Sequence, residues 1–219
     1  MPLVLDIPAL RIRVGERVFL QGPSGSGKTT LLNLMGGVAS PESGNITILS
    51  QDLTGMSTAR RDQFRADNIG FIFQLFNLVP YLSLIENVTL PCRFSAARRQ
   101  RVQARGSSVE QEAHRLLSHM NLDTAQLGSR PVSQLSVGQQ QRVAAARCLI
   151  GSPPLVIADE PTSAIDSDAR NTFLDLLFAE LLASGATLLF VSHETGLGPL
   201  FDRAIPLAEI NRATQEMSP

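Results

Sequence analysis

The segment Gly22–Thr29 reads GPSGSGKT and fits the spacing G-x-x-x-x-G-K-[ST]. Gly22, Gly25 and Gly27 let the backbone close around oxygen atoms. With Pro23, Ser24 and Ser26 between them, successive N–H groups can point inward at phosphate. Lys28 stands where an ammonium reaches β- and γ-phosphates, and Thr29 places a hydroxyl for Mg²⁺. Thr30 carries the chain into a helical pattern, TTLLNLMGGV, that stops near Gly36 and Gly37. The apolar run RVFLQ leads straight into the loop, so both flanks that the motif requires are present. A Gly/Ser turn is the bland alternative, and a lysine in register between strand and helix argues against it. The segment reads as a nucleoside triphosphate site.

Two carboxylates extend the chemistry. LVIADE brings Asp159 and Glu160 to the carboxyl end of a strand, where open α/β sheets hold their ligands. Asp159 suits Mg²⁺ held through water. Glu160, one residue further out, suits polarisation of an attacking water, a general-base role worth ~10²–10⁴-fold in rate. His193, in FVSHE, sits at the end of another buried run, TLLFV, and should emerge at the same sheet edge. There a contact with the γ-phosphate is preferred over an incidental histidine. Gln74 follows GFIF and offers a neutral group for Mg²⁺ or water that could report γ-phosphate occupancy; a plain loop glutamine is its rival.

A second anion site is written in LSVGQQQRVAAAR, Leu135 to Arg147. Ser136, Val137, Gly138 and Gln139 open a helix that is apolar at Val143, Ala144, Ala146 and Ile150. A helix start with free N–H groups and a positive dipole end attracts anions. One bound nucleotide gives no reason for two such sites.

The elements that must position these residues read as an α/β fold. Buried runs at Arg17–Gln21, Leu155–Ala158 and Thr187–Val191 lack polar alternation and are separated by helical patterns. This implies a mainly parallel sheet covered on both faces. GNITILS, alternating Ile46 and Ile48, reads as an antiparallel strand at the rim. Between residues 75 and 134 the texture turns to prolines, arginines and amphipathic helix. The clearest helix starts at a capping box, Ser107 with Glu110, and shows a stripe of Val109, Ala113, Leu116, Leu117 and Met120. The basic stretch RFSAARRQRVQARGSS, Arg93 to Ser108, reads as a solvated, partly flexible connection, with a lipid-headgroup or partner contact as the alternative. DARNTFLDLLFAELLAS reads as a helix with Phe173, Leu174, Leu177, Phe178, Leu181 and Leu182 on one face. The expected organisation is a single P-loop NTPase domain over 1–219, with a helical subdomain at about 76–147 inserted in the α/β core.

The whole chain bounds the answer further. It has 219 residues, 43% of them hydrophobic, enough for a full core, and a formal net charge of −1. That charge argues against binding nucleic acid through bulk positive potential. The 2 cysteines, Cys92 and Cys148, do not have metal-ligand spacing and fit a reduced compartment. Neither a secretory signal nor a membrane-spanning run is evident.

Taken in order, these motifs resemble the ATP-binding-cassette ATPases over nearly the whole chain. The resemblance identifies GPSGSGKT as the Walker A motif, Gln74 as the Q-loop glutamine and LSVGQ as the signature. It identifies LVIADE as Walker B, Ser163–Asp166 as the D-loop with Asp166, and His193 as the switch histidine. It implies ATP and Mg²⁺ as ligands, with Thr29, Gln74 and Asp159 around the metal. It also explains the second anion site. In this family the signature loop of one subunit caps the ATP held by the P-loop of the other in a head-to-tail dimer, so Ser136 and Gly138 would serve the partner's nucleotide.

This chain departs from the family's pattern at two places. Val137 stands where the signature usually has glycine, while Ser136 and Gly138 remain, which implies a working loop with altered packing. The family's adenine-stacking aromatic precedes the segment matching VLDIPALRIRVGE, and this chain starts at about that segment. Phe19 reads as core. Either aliphatic or partner groups hold the adenine, or the true start lies upstream of Met1.

FIFQLFNLVPYLSLIENVTLP and the signature-to-D-loop stretch look most like the lipoprotein-releasing and macrolide-exporter branch. That implies a homodimer or a dimer with a close relative, held at the cytoplasmic face of the cytoplasmic membrane by permeases with a large extracytoplasmic domain. Phe76, Leu78, Val79, Tyr81, Leu82 and Leu84 would then form part of the permease-docking groove, with packing against the insert's own helices as the alternative. Chromosome-maintenance ATPases need long heptad runs between the P-loop and the signature, and these are absent from the sequence. Translation-factor cassettes carry two such units per chain. A cassette with weak turnover, acting mainly as a regulatory or scaffold subunit, is the other alternative, opposed by the presence of Lys28, Asp159, Glu160 and His193.

Overall fold

A computed structural model describes residues 3–214. In chain order the elements are β1 (Arg17–Gln21), α1 (Lys28–Met35), β2 (Thr47–Ile48), β3 (Gln51–Asp52), α2 (Thr58–Asn68) and β4 (Ile69–Ile72). There follow α3 (Leu84–Phe94), α4 (Ala96–Ala104), α5 (Val109–His119), α6 (Thr124–Leu127) and α7 (Val137–Leu149). The chain then runs through β5 (Leu155–Asp159), α8 (Ser167–Ser184), β6 (Thr187–Ser192), β7 (Arg203–Pro206) and α9 (Leu207–Ile210).

Five strands form one sheet in the order β4-β5-β6-β1-β7, and every pairing is parallel. Successive side chains on a strand point to opposite faces, and here both faces are apolar. Phe19, Val156, Ala158, Leu188 and Phe190 join one core, with α3, α5, α7 and α8 supplying Leu84, Leu117, Val143 and Leu177. Val18, Leu20, Leu155, Ile157, Leu189 and Val191 join the other, with Leu31 and Leu32 of α1 and Phe64 of α2. Burial on both faces is what the unalternating runs predict, and Phe19 is core. The register aligns the carboxyl ends of β1, β5 and β6: Gln21 lies beside Ser192, and Asp159 beside Val191. Loops leaving those ends share one rim.

Four local expectations are corrected. GNITILS does not edge the main sheet. Only Thr47 and Ile48 are extended, and they pair with Gln51 and Asp52 in a separate antiparallel sheet. Leu49 and Ser50, at φ 50° and 62°, turn the chain too tightly for a longer strand. The capping box of α5 is one residue later than Ser107 with Glu110. Ser108 Oγ accepts from the Gln111 N–H at 3.1 Å, and Gln111 Oε1 accepts from the Ser108 N–H at 2.9 Å. The doubled Ser-Ser and Glu-Gln admit both frames, and the Ser107 hydroxyl is turned to the Ser108 carbonyl. On α8, Leu182 is 86% exposed, one step around the helix from the buried Leu181.

The fourth correction concerns the arginine stretch, much of which is the helix α4 rather than a solvated connection. Arg98 is 2% exposed. Its guanidinium donates to the carbonyls of Ala66 (2.9 Å), Ile69 (2.7 Å), Cys148 (3.1 Å) and Ile150 (2.8 Å). Arg101 adds bonds to the carbonyls of Gly151 and Asp67. These carbonyls end α2 and α7 and begin β4, groups that a helix end or strand start leaves without regular partners. The fit is close: a Cβ at Gly151 would lie 2.5 Å from the Cβ of Arg98. Burial lowers the pKa of Arg98 from its ordinary value, but arginine remains charged in proteins.

Candidate functional site

The loop between β1 and α1 winds through left-handed conformations at Gly25 (φ 80°) and Gly27 (φ 99°), which favour glycine. A Cβ at Gly22 would lie 2.8 Å from Ser26 Oγ, and one at Gly27 would lie 2.9 Å from Leu5. Pro23, Ser24 and Gly25 are exposed at the crest, and Thr29 and Thr30 are exposed on the first turn of α1. Lys28 is buried and bends back over its own loop. Its Nζ donates to the carbonyls of Gly22 (2.7 Å) and Pro23 (2.8 Å). Among the described residues the buried Ser26 hydroxyl has no hydrogen-bond partner. An orphaned hydroxyl, a lysine and a glycine-shaped ring of N–H groups fit a bound phosphate chain.

Across this loop the rim brings Asp159, Glu160 and His193 together. Glu160 leaves β5 with φ 46°, a strained value for glutamate of the kind that clusters at functional sites. Its N–H is held by the Val191 carbonyl at 2.8 Å, which fixes the turn against β6. The side chain reaches both the loop after β6 and the P-loop lysine. Oε2 meets His193 Nδ1 at 2.5 Å, and Oε1 stands 3.8 Å from Lys28 Nζ. His193 keeps its outer face exposed. Arg170, on the first turns of α8, pairs with Glu194 and braces the histidine's loop. Asp166 caps α8, accepting from the N–H groups of Asp168 (3.1 Å) and Ala169 (2.9 Å).

The carboxyl of Asp159 has its pKa raised, first by burial and then by the charge of Glu160, with Lys28 opposing. A carboxylate so placed gains from a nearby cation. The Thr29 hydroxyl and the Asp159 carboxylate are hard oxygen donors of the kind that could hold Mg²⁺. Gln74 lies two residues beyond the end of β4, beside the Asp159 strand, with its side chain exposed.

Ser136, Val137, Gly138 and Gln139 do not join this cluster. Ser136 caps α7, its Oγ accepting from the Gln139 N–H at 3.3 Å while Gln139 Oε1 accepts from the Ser136 N–H at 2.9 Å. The N–H groups of Val137 and Gly138 begin the helix and have no acceptor within it. Val137 is 49% exposed, and a Cβ at Gly138 would meet nothing within 4 Å. Among the described residues no hydrogen bond or ion pair joins Ser136–Gln139 to the P-loop.

Sequence reasoning missed the side chains that hold these loops. Gln141 and Arg147 on α7 donate to backbone carbonyls next to Glu160 and Gln74. The Glu160–His193 bond was also unforeseen. A polar residue on the buried side of an otherwise apolar helix face, as Gln141 is, was the available signal.

The family model for ABC transporters matches residues 5–163 of this chain. The chain is 38% identical over 204 residues to the lipoprotein-releasing system ATP-binding protein LolD of Chromohalobacter salexigens, spanning 93% of this chain and 82% of that protein. It is similarly 38% identical to the uncharacterized ABC transporter ATP-binding protein MJ0796 of Methanocaldococcus jannaschii, over 91% of this chain and 83% of that protein. A dimeric post-hydrolysis structure of the MJ0796 cassette with ADP and Pi superimposes with a TM-score of 0.79 at 35% identity, covering 93% of this chain and 85% of that one. The shared fold and the extent of these matches leave one assignment: the chain belongs to the ABC transporter family, as one of its ATPases.

Proposed function

We propose that this chain powers a membrane permease of the lipoprotein-releasing or export kind, working as a head-to-tail dimer with two composite ATP sites. One observation carries the reading. The groups able to bind and cleave a triphosphate converge at one rim, while among the described residues no hydrogen bond or ion pair joins the helix start at Ser136–Gln139 to them. A second copy, turned head to tail, supplies that helix start to the other's nucleotide.

In this reading the triphosphate takes over the N–H groups of Ser24–Gly27 and draws Lys28 from the Gly22 and Pro23 carbonyls. Thr29, Asp159 and Gln74 would hold Mg²⁺, whose positive charge would offset that of the phosphate oxygens. Glu160 takes the proton of the attacking water. His193, bonded through Nδ1 to that carboxylate, keeps it aimed and leaves Nε2 for the γ-phosphate. Ser136 and Gly138 of the second subunit close the site.

We further assign the helices within about 76–147 to an inserted subdomain, and the segment after Gln74 to the permease. Phe76 and Leu84 are buried and Leu78 packs against the core, while Val79 and Leu82 are half-buried. Leu75 and Tyr81, at 83% and 79% exposed, are left for docking. Among the described residues no helix is long and apolar enough to cross a membrane. Docking on the permease would hold the chain at the cytoplasmic face.

Co-expression of the tagged chain with the permease of its own genome tests the reading. Leu75→Glu with Tyr81→Glu should leave ATP turnover of the isolated chain within about twofold and abolish recovery of the permease. Undiminished recovery would exclude this surface.

A further inference from the structure

The helix that presents the signature residues also grips, by side chains, both loops that carry chemistry in its own subunit. Gln141 is 1% exposed and donates from Nε2 to the Pro161 carbonyl at 2.6 Å. Pro161 directly follows Glu160. Six residues further along α7, Arg147 donates to the carbonyls of Phe76 (2.5 Å) and Asn77 (2.7 Å). Both residues lie just beyond Gln74 and sit in the left-handed region, at φ 58° and 48°. For these two non-glycine residues that conformation persists only when the surroundings impose it, and Arg147 is part of what imposes it. The 13-residue helix α7 is a rod about 20 Å long that starts at Ser136.

We propose that Gln141 and Arg147 are positioning residues that couple the two ATP sites of the dimer through α7. The inference rests on the composite-site reading above. When Ser136 and Gly138 engage the partner's nucleotide, α7 takes a fixed position. Through Gln141 it then sets the turn that aims Glu160 at this subunit's own nucleotide, and through Arg147 it sets the loop of Gln74. Each signature thus licenses the base of the opposite site. Two hydrogen-bonded clamps on one rigid element are a physical link rather than mere proximity. Coupling of this kind is reciprocal at the level of binding.

The variants Gln141→Met and Arg147→Met remove the donors and keep much of the volume. Nucleotide affinity of the isolated subunit should stay within about twofold of wild type, because among the described residues the hydrogen bonds of Gln141 and Arg147 go to Pro161, Phe76 and Asn77 rather than to the P-loop. Turnover should fall about tenfold or more in kcat, with the half-saturating ATP concentration little changed, and the Hill coefficient for hydrolysis should fall to 1. Arg147→Lys, which can still reach one carbonyl, should recover part of both. Unchanged kcat and Hill coefficient in the folded Met variants would overturn the proposal. So would joint loss of nucleotide binding and thermal stability in Arg147→Lys, which would make the contact merely structural. A wild-type chain that is active but shows no cooperativity at any protein concentration would also overturn it. Failure of the composite-site reading shows itself differently, as full activity in a Ser136→Arg homodimer.

Discussion

His193 Nδ1 and Glu160 Oε2 meet at 2.5 Å, a bond between residues from the ends of neighbouring parallel strands. An ionised carboxylate can only accept, and in that state the bond requires the imidazole to donate from Nδ1. The bond fixes which oxygen of Glu160 faces the P-loop. It is Oε1, on the Lys28 side.

Glu160→Gln keeps the shape of that group and removes its proton affinity. ATP binding should persist, turnover should drop by ~10² or more, and an ATP-bound dimer should accumulate on gel filtration because hydrolysis no longer opens it. Phosphate release at the wild-type rate would exclude Glu160 as the base.

Asp159 yields a prediction in pH and metal. Its folded pKa is raised by burial and by Glu160. A raised acid contributes relative stability when protonated and loses it as pH rises through the folded value, so at neutral pH the ionised group is a cost to the nucleotide-free protein. Asp159→Asn should therefore raise the melting temperature at pH 7, and the gain should shrink as pH falls through the carboxylate range. The same variant should lose most of the extra melting-temperature increase that Mg²⁺ gives in the presence of ATP. A lower melting temperature at pH 7 without ligand would contradict the sign.

Arg98 should be a stability residue with no direct part in chemistry. Removing a buried donor to four carbonyls leaves acceptors unpaired, at ~1–3 kcal/mol each before relaxation. Arg98→Met should cost about 3 kcal/mol or more in urea unfolding. A change under about 1 kcal/mol would show that water replaces the guanidinium freely.

How much of this was legible in the sequence follows from range of interaction. The strands around Phe19, Ile157 and Leu189 were legible because burial on both faces suppresses polar alternation. The P-loop was legible because phosphate binding there depends on contiguous residues. Arg98 was not legible, because its four acceptors come from three separate elements and a run of arginines reads as solvated by default. Gln141 and Arg147 were hidden for the same reason: their partners are carbonyls, which carry no sequence identity. The Ser107/Ser108 frame was degenerate, since each serine has an acceptor three residues on. Leu182 failed on a one-residue error around a helix whose buried arc is narrow.

Mixed dimers separate a P-loop that works with the other subunit's signature loop from one that works within its own chain. Lys28→Ala should lower ATP affinity by about one to two orders of magnitude, since hydrogen bonds to charged groups are worth ~1.5–3 kcal/mol. Ser136→Arg should block the helix start. Either homodimer should then show almost no turnover, because each lesion falls in both sites. A dimer of one Lys28→Ala subunit and one Ser136→Arg subunit gathers both lesions in a single site and leaves the other with an intact P-loop and an intact signature. Phosphate release by the purified mixed dimer should therefore reappear at a substantial fraction of the wild-type rate. A Ser136→Arg homodimer that retains full activity, or a mixed dimer no more active than the two homodimers, would contradict the account.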